Sequence, residues 1–498
     1  MTTRISRRGL LAGVGGLTLM PQAVLSNPPL TSIAPLGRPI GLAARAGGGL
    51  AGVIARANLP GEIVCAVAEV QSGMRLEAHG GTTGLPPASV GKALTALYAL
   101  ETLGAEHRFE TALWATGDVS GGVLKGDLIL RGGGDPTLDT DDLARLAAGL
   151  KAAGIREVRG RFVVDASILP EVFSIDRGQP DHLGYSPSVS GIALNYNRVH
   201  FEWKQAGTQY RVTMDARTEK YRPEVDMARM KVMARDLPVY TYADKGGVDQ
   251  WTVARGALGK GGARWLPVRK PEAYVADVFV TLARSHGIVL SKTGVGPVPA
   301  GARKLVGHQS PPLAEILNGM LKYSNNLTAE MVGMMASATR ERRPRDLADS
   351  AAMMSQWAAA RFGMVGTRMV DHSGLGDASR MTPDDLVSAL VQVGRAGHLR
   401  SLMKTFPLRD AKGRINKTHP IKVDAKTGTL NFVSGLGGFM TSGDGTELAF
   451  AIFMADTKTR KRIPRSERER PAGAKTWNRK AKKMQQALIE RWGAVYGS

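Results

Sequence analysis

Ser89 and Lys92 pair a hydroxyl with an amine at a spacing that suits nucleophilic catalysis. On a helix, side chains three residues apart lie on one face, about one turn from each other. A serine becomes an effective nucleophile when a base takes its proton, and a lysine with a lowered pKa can be that base. Backbone N–H groups at the helix start would stabilise an oxyanion there. Because S-x-x-K also occurs by chance, the pair needs support from other motifs.

Ser324 and Asn326 form a second polar group, placed between two stretches with helical periodicity. A hydroxyl two residues before a carboxamide can relay a proton and can hold a substrate amide. Taken alone, an ordinary polar junction between helices is the simpler interpretation of this group.

A third group, Lys426, Thr427 and Gly428, ends a predicted strand and is followed by Thr429. A cation and a hydroxyl on a strand can bind a carboxylate, and glycine lets a substrate backbone approach closely. Thr429 would then present a backbone N–H to the same oxyanion as Ser89. Taken alone, the group also fits a turn at a strand end.

The elements predicted around these groups indicate a core divided by an insertion. The helix that carries Ser89 spans residues 88–103 and follows two strands joined by a tight turn. From about residue 109 to residue 266, short strands and glycine-rich turns replace the helical pattern. An α+β core split by an inserted domain accounts for this order. The other predicted elements are strands at 63–70, 74–79, 421–428, 433–441 and 447–455 and helices at 140–154, 272–286 and 313–338.

The composition is that of a globular protein with an excess of positive charge. Of 498 residues, 43% are hydrophobic and 22% are charged, so the chain can bury a large core without disulfides. The 66 Lys and Arg against 44 Asp and Glu leave a net charge of +22, which predicts affinity for anionic polymers without selecting one. The single cysteine, Cys65, excludes an intramolecular disulfide and is predicted to be a buried strand residue.

The N-terminus has the pattern of an export signal. Arg4, Arg7 and Arg8 precede an uncharged run over residues 9–23, which is too short to cross a bilayer as a helix. The paired arginines resemble a twin-arginine signal, and a general secretory signal is the alternative. We therefore expect residues 1–26 to be a signal peptide and the protein to be exported to the periplasm or cell envelope.

Taken together and in this order, the three groups resemble the motifs of the penicillin-recognising serine acyltransferases. Ser89 and Ser324 are 235 positions apart (324 minus 89), which requires a large insertion. With this insertion the chain resembles the D-alanyl-D-alanine carboxypeptidase/endopeptidase family, the class C low-molecular-mass penicillin-binding proteins, which carry a large insertion after the nucleophile helix. Further segments similar to the family lie at 124–128, 134–138, 185–187, 195–197 and 371–375.

The resemblance implies an α+β fold with a β-lactamase/transpeptidase-like core, an antiparallel sheet packed with helices. Residues 27–108 and 269–456 would form this core, and a large mostly β insertion would span 109–268. It implies a penicillin-sensitive serine DD-peptidase that cleaves D-Ala-D-Ala termini or D-amino-acid cross-links of peptidoglycan stem peptides. β-Lactam antibiotics would be covalent inhibitors, and no metal or organic cofactor would be needed.

The resemblance also implies roles for the motif residues. Ser89 would attack the carbonyl and form an acyl-enzyme, Lys92 would be the base, and Ser324 would pass the proton to the leaving amine. The substrate-binding residues would be Asn326 for the substrate amide, Lys426, Thr427 and Gly428 around the terminal carboxylate, and Thr429 for the oxyanion.

Other residues near the predicted site have both a structural and a functional interpretation. Asp181 could meet a cationic side chain of the stem peptide, although a surface aspartate is the simpler interpretation. His372 is expected to support a turn beside the site, because S-x-x-K chemistry needs no histidine. Asp135 is likewise expected to order a turn. Tyr323 with Asn325 also fits the Y-x-N of class C β-lactamases, but the long insertion favours the Ser324 frame.

Alternatives to a DD-peptidase remain open at the level of sequence. A β-lactamase on the same core would differ in rapid deacylation, and a non-catalytic peptidoglycan-binding protein would lack turnover altogether. Nucleic-acid binding rests on charge alone, and the export signal argues against it. The tail over residues 457–498 is dense in Lys and Arg, which favours a solvated, partly disordered segment. Contact with an anionic wall polymer or a membrane surface is the functional alternative for this tail.

Overall fold

Helices and strands fill most of the part of the chain that the computed structural model describes, residues 49–394 and 397–497. The predicted signal peptide, residues 1–26, lies outside the described residues. The helices are α1 (Gly49–Ala57), α2 (Gly91–Leu103), α3 (Thr140–Ala152), α4 (Pro271–Ser285), α5 (Leu313–Tyr323), α6 (Asn326–Arg340), α7 (Leu347–Phe362), α8 (Pro383–Gly394), α9 (His398–Leu402), α10 (Thr457–Lys461) and α11 (Ala474–Tyr496).

The strands carry the same chain-order numbering. They are β1 (Glu62–Glu69), β2 (Arg75–His79), β3 (Glu110–Ala115), β4 (Val119–Ser120), β5 (Val123–Leu124), β6 (Leu128–Arg131), β7 (Glu157–Val158), β8 (Phe162–Asp165), β9 (Arg198–Ala206), β10 (Gln209–Asp215), β11 (Ala228–Met233), β12 (Tyr240–Lys245), β13 (Val248–Ala254), β14 (Gly261–Pro267), β15 (Thr293–Val295), β16 (Arg303–Gln309), β17 (Lys404–Thr405), β18 (Lys422–Leu430), β19 (Val433–Thr441) and β20 (Glu447–Ala455).

A six-stranded antiparallel sheet forms the core, in the order β17-β18-β19-β20-β1-β2. The sheet brings together segments that are far apart in sequence, because β1 pairs along its whole length with β20. Strand β20 is buried at every residue except its first, since helices cover both faces of the sheet. Cys65 lies fully buried in β1, as the sequence predicts. The predicted α+β core, an antiparallel sheet packed with helices, is confirmed.

One face of this sheet packs against the helices that carry the motif residues. Helices α2, α5, α6, α7 and α8 contribute to a single hydrophobic cluster with β1, β19 and β20. Tyr98 of α2 and Met331 of α6 are fully buried in it, and Trp357 of α7 packs beside Tyr98. This packing fixes α2 and α6 side by side, and with them the residues at their N-termini.

The other face is covered by α1 and by the C-terminal helix α11. Trp477, Met484, Leu488 and Trp492 recur at spacings of seven, four and four residues and are buried against the sheet, while lysines and arginines occupy the outer side. The prediction of a partly disordered tail is therefore wrong for this segment. Its high charge hid the apolar pattern of an amphipathic helix. Among the described helices, none combines the length and apolarity needed to span a bilayer.

The insertion has its own sheets and its own hydrophobic core. A five-stranded mixed sheet, β15-β8-β6-β3-β16, packs with α3 and α4, and three-stranded sheets of β9, β10 and β14 and of β11–β13 extend from it. The sequence assigned residues from 269 onward to the second half of the core. In the structure α4, β15 and β16 pack with the insertion, so the chain re-enters the core helices only at α5. The amphipathic pattern of α4 predicted a helix but not the partner it packs against.

Candidate active site

Ser89 lies in a one-turn 3₁₀ helix, Ala88–Val90, immediately before α2. This turn packs unusually close to two other backbone segments. A Cβ on Gly428 of β18 would lie 3.0 Å from the Ser89 nitrogen, and a Cβ on Gly374 would lie 1.9 Å from the Ala88 carbonyl oxygen. Gly374 also has a φ of +74°, which favours glycine. Because Gly428 has no side chain, the turn that carries Ser89 can pack directly against β18. The sequence had instead predicted that this glycine makes room for the substrate backbone.

Lys92 is fully buried and points its amine at the nucleophile. Its Nζ lies 3.0 Å from Ser89 Oγ, 2.7 Å from Asn326 Oδ1 and 2.8 Å from the Ser373 carbonyl oxygen. A neutral amine has two hydrogens and one lone pair. The Asn326 and Ser373 oxygens can only accept, so they take the two hydrogens, and the lone pair is left facing the Ser89 hydroxyl. This is the geometry that a general base requires.

Burial also tunes the basicity of Lys92. Loss of solvent lowers its pKa to about 8, although the negative charges of Glu330 and Asp371 oppose that shift. About a tenth of the molecules thus carry the neutral amine at about pH 7, whereas an ordinary exposed lysine would be almost wholly protonated.

Asn326 is oriented by a second contact on its far side. Its Nδ2 donates to the Tyr185 carbonyl oxygen at 2.8 Å, which directs Oδ1 toward Lys92. Residue 326 begins α6, and the preceding Asn325 caps that helix by accepting from the Thr328 amide. The helix start therefore fixes Asn326 between the base and the insertion.

Ser324 occupies the break between α5 and α6 in a left-handed conformation, with φ of +59°. Its Oγ accepts a hydrogen bond of 3.0 Å from Lys426 Nζ. Tyr323 is 74% exposed and packs against the Lys322 ammonium instead. The geometry thus favours the S-x-N frame over the Y-x-N frame.

Lys426 is 2% exposed, and its amine contacts Ser324 Oγ and the Thr427 carbonyl oxygen, the latter at 2.7 Å. Burial, reinforced by the charge of Lys92, lowers the pKa of Lys426 to about 6. In the free protein this amine is therefore mostly neutral at about pH 7. If Lys426 binds a carboxylate as the sequence predicts, it must take up a proton when the anion arrives.

A cavity of about 320 Å³ lies over the nucleophile. Ser89, Ser324, Asn326 and Thr429 line it together with Tyr185. The structure thus gathers predicted residues of the first two motifs, and Thr429 after the third, at one cavity, with Lys92 buried beneath Ser89. Thr427 points its exposed side chain elsewhere, into a neighbouring cavity that also reaches Gly428 and Thr429.

Asp181 is separated from this group by its own partner. Its carboxylate pairs with Arg465 at 2.7 Å, and its carbonyl oxygen accepts from Arg269 at 2.6 Å. Within the described residues, Asp181 does not belong to the lining of the cavity over Ser89. A contact between Asp181 and the stem peptide stays a prediction that must compete with Arg465.

Glu330 is a buried residue that the sequence argument missed. It lies one turn after Asn326 on α6, and its carboxylate accepts from the His372 and Ser373 amides at 2.8 and 2.9 Å. It thereby holds the loop whose Ser373 carbonyl binds Lys92. Burial raises the pKa of Glu330. The i to i+4 relation to Asn326 was the only signal in the sequence.

His372 takes no part in the chemistry that this geometry offers. It is fully buried, and its ring nitrogens contact Ser350 Oγ at 2.7 Å and the Met354 sulfur at 3.3 Å. Burial lowers the pKa of His372 to about 3, so the ring is neutral. Asp371 beside it binds the Gly374 and Gly376 amides and closes the turn.

The C-terminal segment also reaches the cavity, which the sequence argument did not anticipate. Arg460 and Arg468 line it beside Asn431, and Arg460 pairs with Asp377 and donates to the Asn431 carbonyl oxygen. Arg468 donates to the Gly178 carbonyl oxygen at 3.1 Å. Basic residues after the last strand therefore form one wall of the site and connect the core to the insertion.

Comparison with known proteins places the chain in one family. The chain matches the model of the D-Ala-D-Ala carboxypeptidase 3 (S13) family over residues 48–472. It is 31% identical to a D-alanyl-D-alanine carboxypeptidase of Actinomadura sp. (strain R39), over 78% of this chain and 76% of that protein. It is 28% identical to the D-alanyl-D-alanine carboxypeptidase DacB of Haemophilus influenzae, over 76% of this chain and 81% of that protein.

Solved structures show the same fold. Penicillin-binding protein 4 (dacB) of Haemophilus influenzae superposes with a TM-score of 0.71 at 21% identity, covering 92% of this chain and 98% of that chain. The same protein complexed with a β-lactam gives a TM-score of 0.66 at 23% identity, covering 89% and 98%. With the family model matched over most of its length, the chain belongs to the D-Ala-D-Ala carboxypeptidase 3 (S13) family.

Proposed function

We propose that this D-Ala-D-Ala carboxypeptidase acts through a covalent acyl-enzyme on Ser89. One observation carries the proposal: the Lys92 amine lies 3.0 Å from Ser89 Oγ, and two acceptors bind its hydrogens on the other side. A base that is held with its lone pair on a hydroxyl, and whose pKa is lowered by burial, is what a serine nucleophile needs.

The reaction can be followed bond by bond. Ser89 Oγ bonds to the carbonyl carbon before the terminal D-alanine while its proton passes to Lys92. The tetrahedral intermediate then collapses and the C–N bond breaks. The leaving amine takes the proton held by Lys92, which passes through the hydroxyl of Ser324, so that Lys92 returns to its neutral form; Lys426 contacts the same hydroxyl. Water attacks the resulting ester, Lys92 accepts its proton, and that proton returns to Ser89 Oγ as the C–O bond breaks. The products are the shortened peptide acid and D-alanine, and Ser89 is regenerated.

We propose the same chemistry for β-lactams and for cross-linked peptides. A β-lactam would acylate Ser89 and remain bound, which agrees with the β-lactam complex of the Haemophilus influenzae relative. Endopeptidase cleavage needs only a larger leaving amine than D-alanine. Both activities therefore follow from one nucleophile, one base and one proton relay.

The proposal is tested by supplying a stem pentapeptide ending in D-Ala-D-Ala and, separately, a cross-linked peptide dimer. Free D-alanine from the first and separated monomers from the second are the expected products, measured by liquid chromatography and mass spectrometry. Rapid turnover of penicillin without release of D-alanine would instead identify a β-lactamase. Binding to peptidoglycan with no product from either peptide would identify a non-catalytic binding protein.

We also propose that the protein is exported, because the basic and apolar segments over residues 1–26 have the pattern of a signal and the substrate lies outside the cytoplasm. Cell fractionation with a tagged full chain tests this. Processed protein in the envelope fraction is expected. Unprocessed protein confined to the cytoplasm would refute it.

We propose that the basic surface of α11 contacts an anionic wall polymer. A cavity of about 710 Å³ lies between α11 and β18, and among the described residues its lining contains no carboxylate. Five cations line it: Arg409, Lys475, Arg479, Lys482 and Lys483. Because counterions are released when such a surface meets a polyanion, binding should weaken as salt rises.

A charge-neutralising variant tests this surface. Changing Lys475, Arg479, Lys482 and Lys483 together to glutamine is expected to lower retention on isolated cell walls by about tenfold at low salt. Removing the same number of exposed cations from the insertion, at Lys204, Arg211, Lys231 and Lys260, is the matched control. Equal loss in both variants, or loss only on anionic phospholipid vesicles, would contradict the proposal.

A further inference from the structure

A second cavity, of about 650 Å³, adjoins the catalytic one and plays no part in the steps above. Tyr185, Ser324 and Asn326 line both cavities, so these residues form a shared wall. The second cavity lies between the insertion and helix α5, and Tyr323 and Asn325 extend its lining on the core side. It therefore lies next to the residue assigned to protonate the leaving amine.

Arg198 supplies an unpaired charge to this cavity. Its guanidinium lies over the rings of Tyr196 and Trp265, at 5.4 and 5.6 Å from their centroids. Its Nε is shielded from solvent and has no hydrogen-bond partner, and within the described residues no carboxylate lies within ion-pair distance of it. Burial lowers the pKa of Arg198, but an arginine keeps its charge at neutral pH. A half-buried cation with no carboxylate partner can bind an anionic ligand.

The backbone beside Arg198 is held in a strained shape. Asn195, Tyr196 and Asn197 all have left-handed φ values, of 49°, 58° and 50°. Asn195 Nδ2 donates to Thr140 Oγ1 at 2.9 Å, and Asn197 Nδ2 donates to the Ser188 carbonyl oxygen at 3.0 Å. Consecutive non-glycine residues persist in this region only where their surroundings enforce it, and such strain concentrates at functional sites. Here it presents the Tyr196 ring and Arg198 to the cavity.

The remaining lining is compatible with an anion. The first residues of helix α6, Asn326 to Thr328, line the cavity, and a helix N-terminus carries partial positive charge. Glu315 is the carboxylate in the lining, and its side chain is exposed to solvent, which screens its charge. Of these two charged side chains, Arg198 is the less exposed to solvent.

We propose that this cavity is a subsite for the leaving side of a cross-linked peptide, in which Arg198 binds a carboxylate of the second stem peptide. This inference rests on the proposed function, because it takes Ser324 as the residue that protonates the leaving amine. When the leaving group is D-alanine alone, nothing extends into the cavity. When the leaving group is a second peptide, the free carboxylate of that peptide can accept a bidentate hydrogen bond from the guanidinium. Arg198 is therefore a specificity residue for cross-link cleavage and not for release of D-alanine.

The test compares three substrates on the full-length enzyme: a pentapeptide, a cross-linked dimer with a free carboxylate on the leaving side, and the same dimer amidated there. Arg198→Gln is expected to lower kcat/KM for the free-carboxylate dimer by about tenfold to a hundredfold, the usual effect of losing a charge-assisted hydrogen bond. The amidated dimer, the pentapeptide and the acylation rate by penicillin should change by less than about threefold.

Two further variants keep the test decisive. Glu315→Gln removes the exposed carboxylate and is expected to raise kcat/KM for the free-carboxylate dimer by about twofold. Arg211→Gln, on an exposed strand of the insertion, is the control and should change nothing. Equal losses on both dimers, an unchanged free-carboxylate dimer, or a parent enzyme that cleaves no dimer would each overturn the inference. In all three cases intact penicillin acylation and D-alanine release would leave the proposed carboxypeptidase reaction on Ser89 standing.

Discussion

Replacing Ser89 by alanine is expected to lower D-alanine release from a stem pentapeptide by at least about a thousandfold. The hydroxyl is the atom that bonds to the substrate, and without it Lys92 and Ser324 have no nucleophile to serve. The side chain loses only its oxygen, and its lost partner is the Lys92 amine at 3.0 Å. Steady-state release of D-alanine, measured at saturating and subsaturating substrate, reports the change in both kcat and kcat/KM.

The control for this variant is another serine-to-alanine change outside the cavity. Ser401 is exposed on α9, and among the described residues its Oγ bonds only to the His398 carbonyl oxygen, so Ser401→Ala should match the parent. Thermal unfolding of all three proteins should agree closely. If folded Ser89→Ala kept more than about a tenth of the activity, the nucleophile would lie elsewhere.

Replacing Lys92 by methionine is expected to lower the acylation rate by about a hundredfold to ten-thousandfold, the usual range for a lost general base. Methionine fills a similar volume in this fully buried position, but it cannot accept a proton from Ser89 or donate to Asn326 and Ser373. The measurement is the rate of labelling by a fluorescent penicillin under single-turnover conditions.

The pH dependence gives this prediction its sign. Only the neutral amine of Lys92 can act as base, so acylation by the parent should rise with pH and level off above the pKa of about 8. The residual rate of Lys92→Met should lack that rise. Circular dichroism and thermal unfolding, with Lys151→Met on an exposed helix position as the control, show whether the variant folds. A parent profile that is flat across this range, or a variant that retains the rise, would contradict the role of Lys92.

The nucleophile and its base were accessible to sequence analysis because their geometry is local. Ser89 and Lys92 lie one turn apart, and the apolar pattern of residues 91–103 predicts the helix that aligns them. Ser324 could be placed at a helix junction for the same reason. The order of the three motifs then indicated the family resemblance, and that resemblance implied the transpeptidase-like fold.

The supporting residues could not be predicted, because their contacts join distant parts of the chain. Glu330 acts on amides at residues 372 and 373, and the Tyr185 carbonyl oxygen fixes Asn326 from 141 positions away. The lowered pKa of Lys426 likewise comes from tertiary burial and not from its neighbours in sequence. Spacing and composition report neither burial nor long-range hydrogen bonds.

The C-terminal helix α11 was missed for a different reason, namely its high content of charged residues. Its lysines and arginines dominate the composition of the segment and suggest solvation, yet Trp477 and Trp492 bury against the sheet. A pattern of apolar residues at helical spacing was present, and weighting charge over periodicity concealed it.

The central claim, a lasting acyl-enzyme on Ser89, is tested most directly by mass spectrometry of the mature protein after incubation with benzylpenicillin. We expect one penicilloyl group per chain, located on the peptide that contains Ser89, still present after hours and absent from Ser89→Ala. An adduct on another residue, an adduct lost within seconds, or none on folded protein would contradict it.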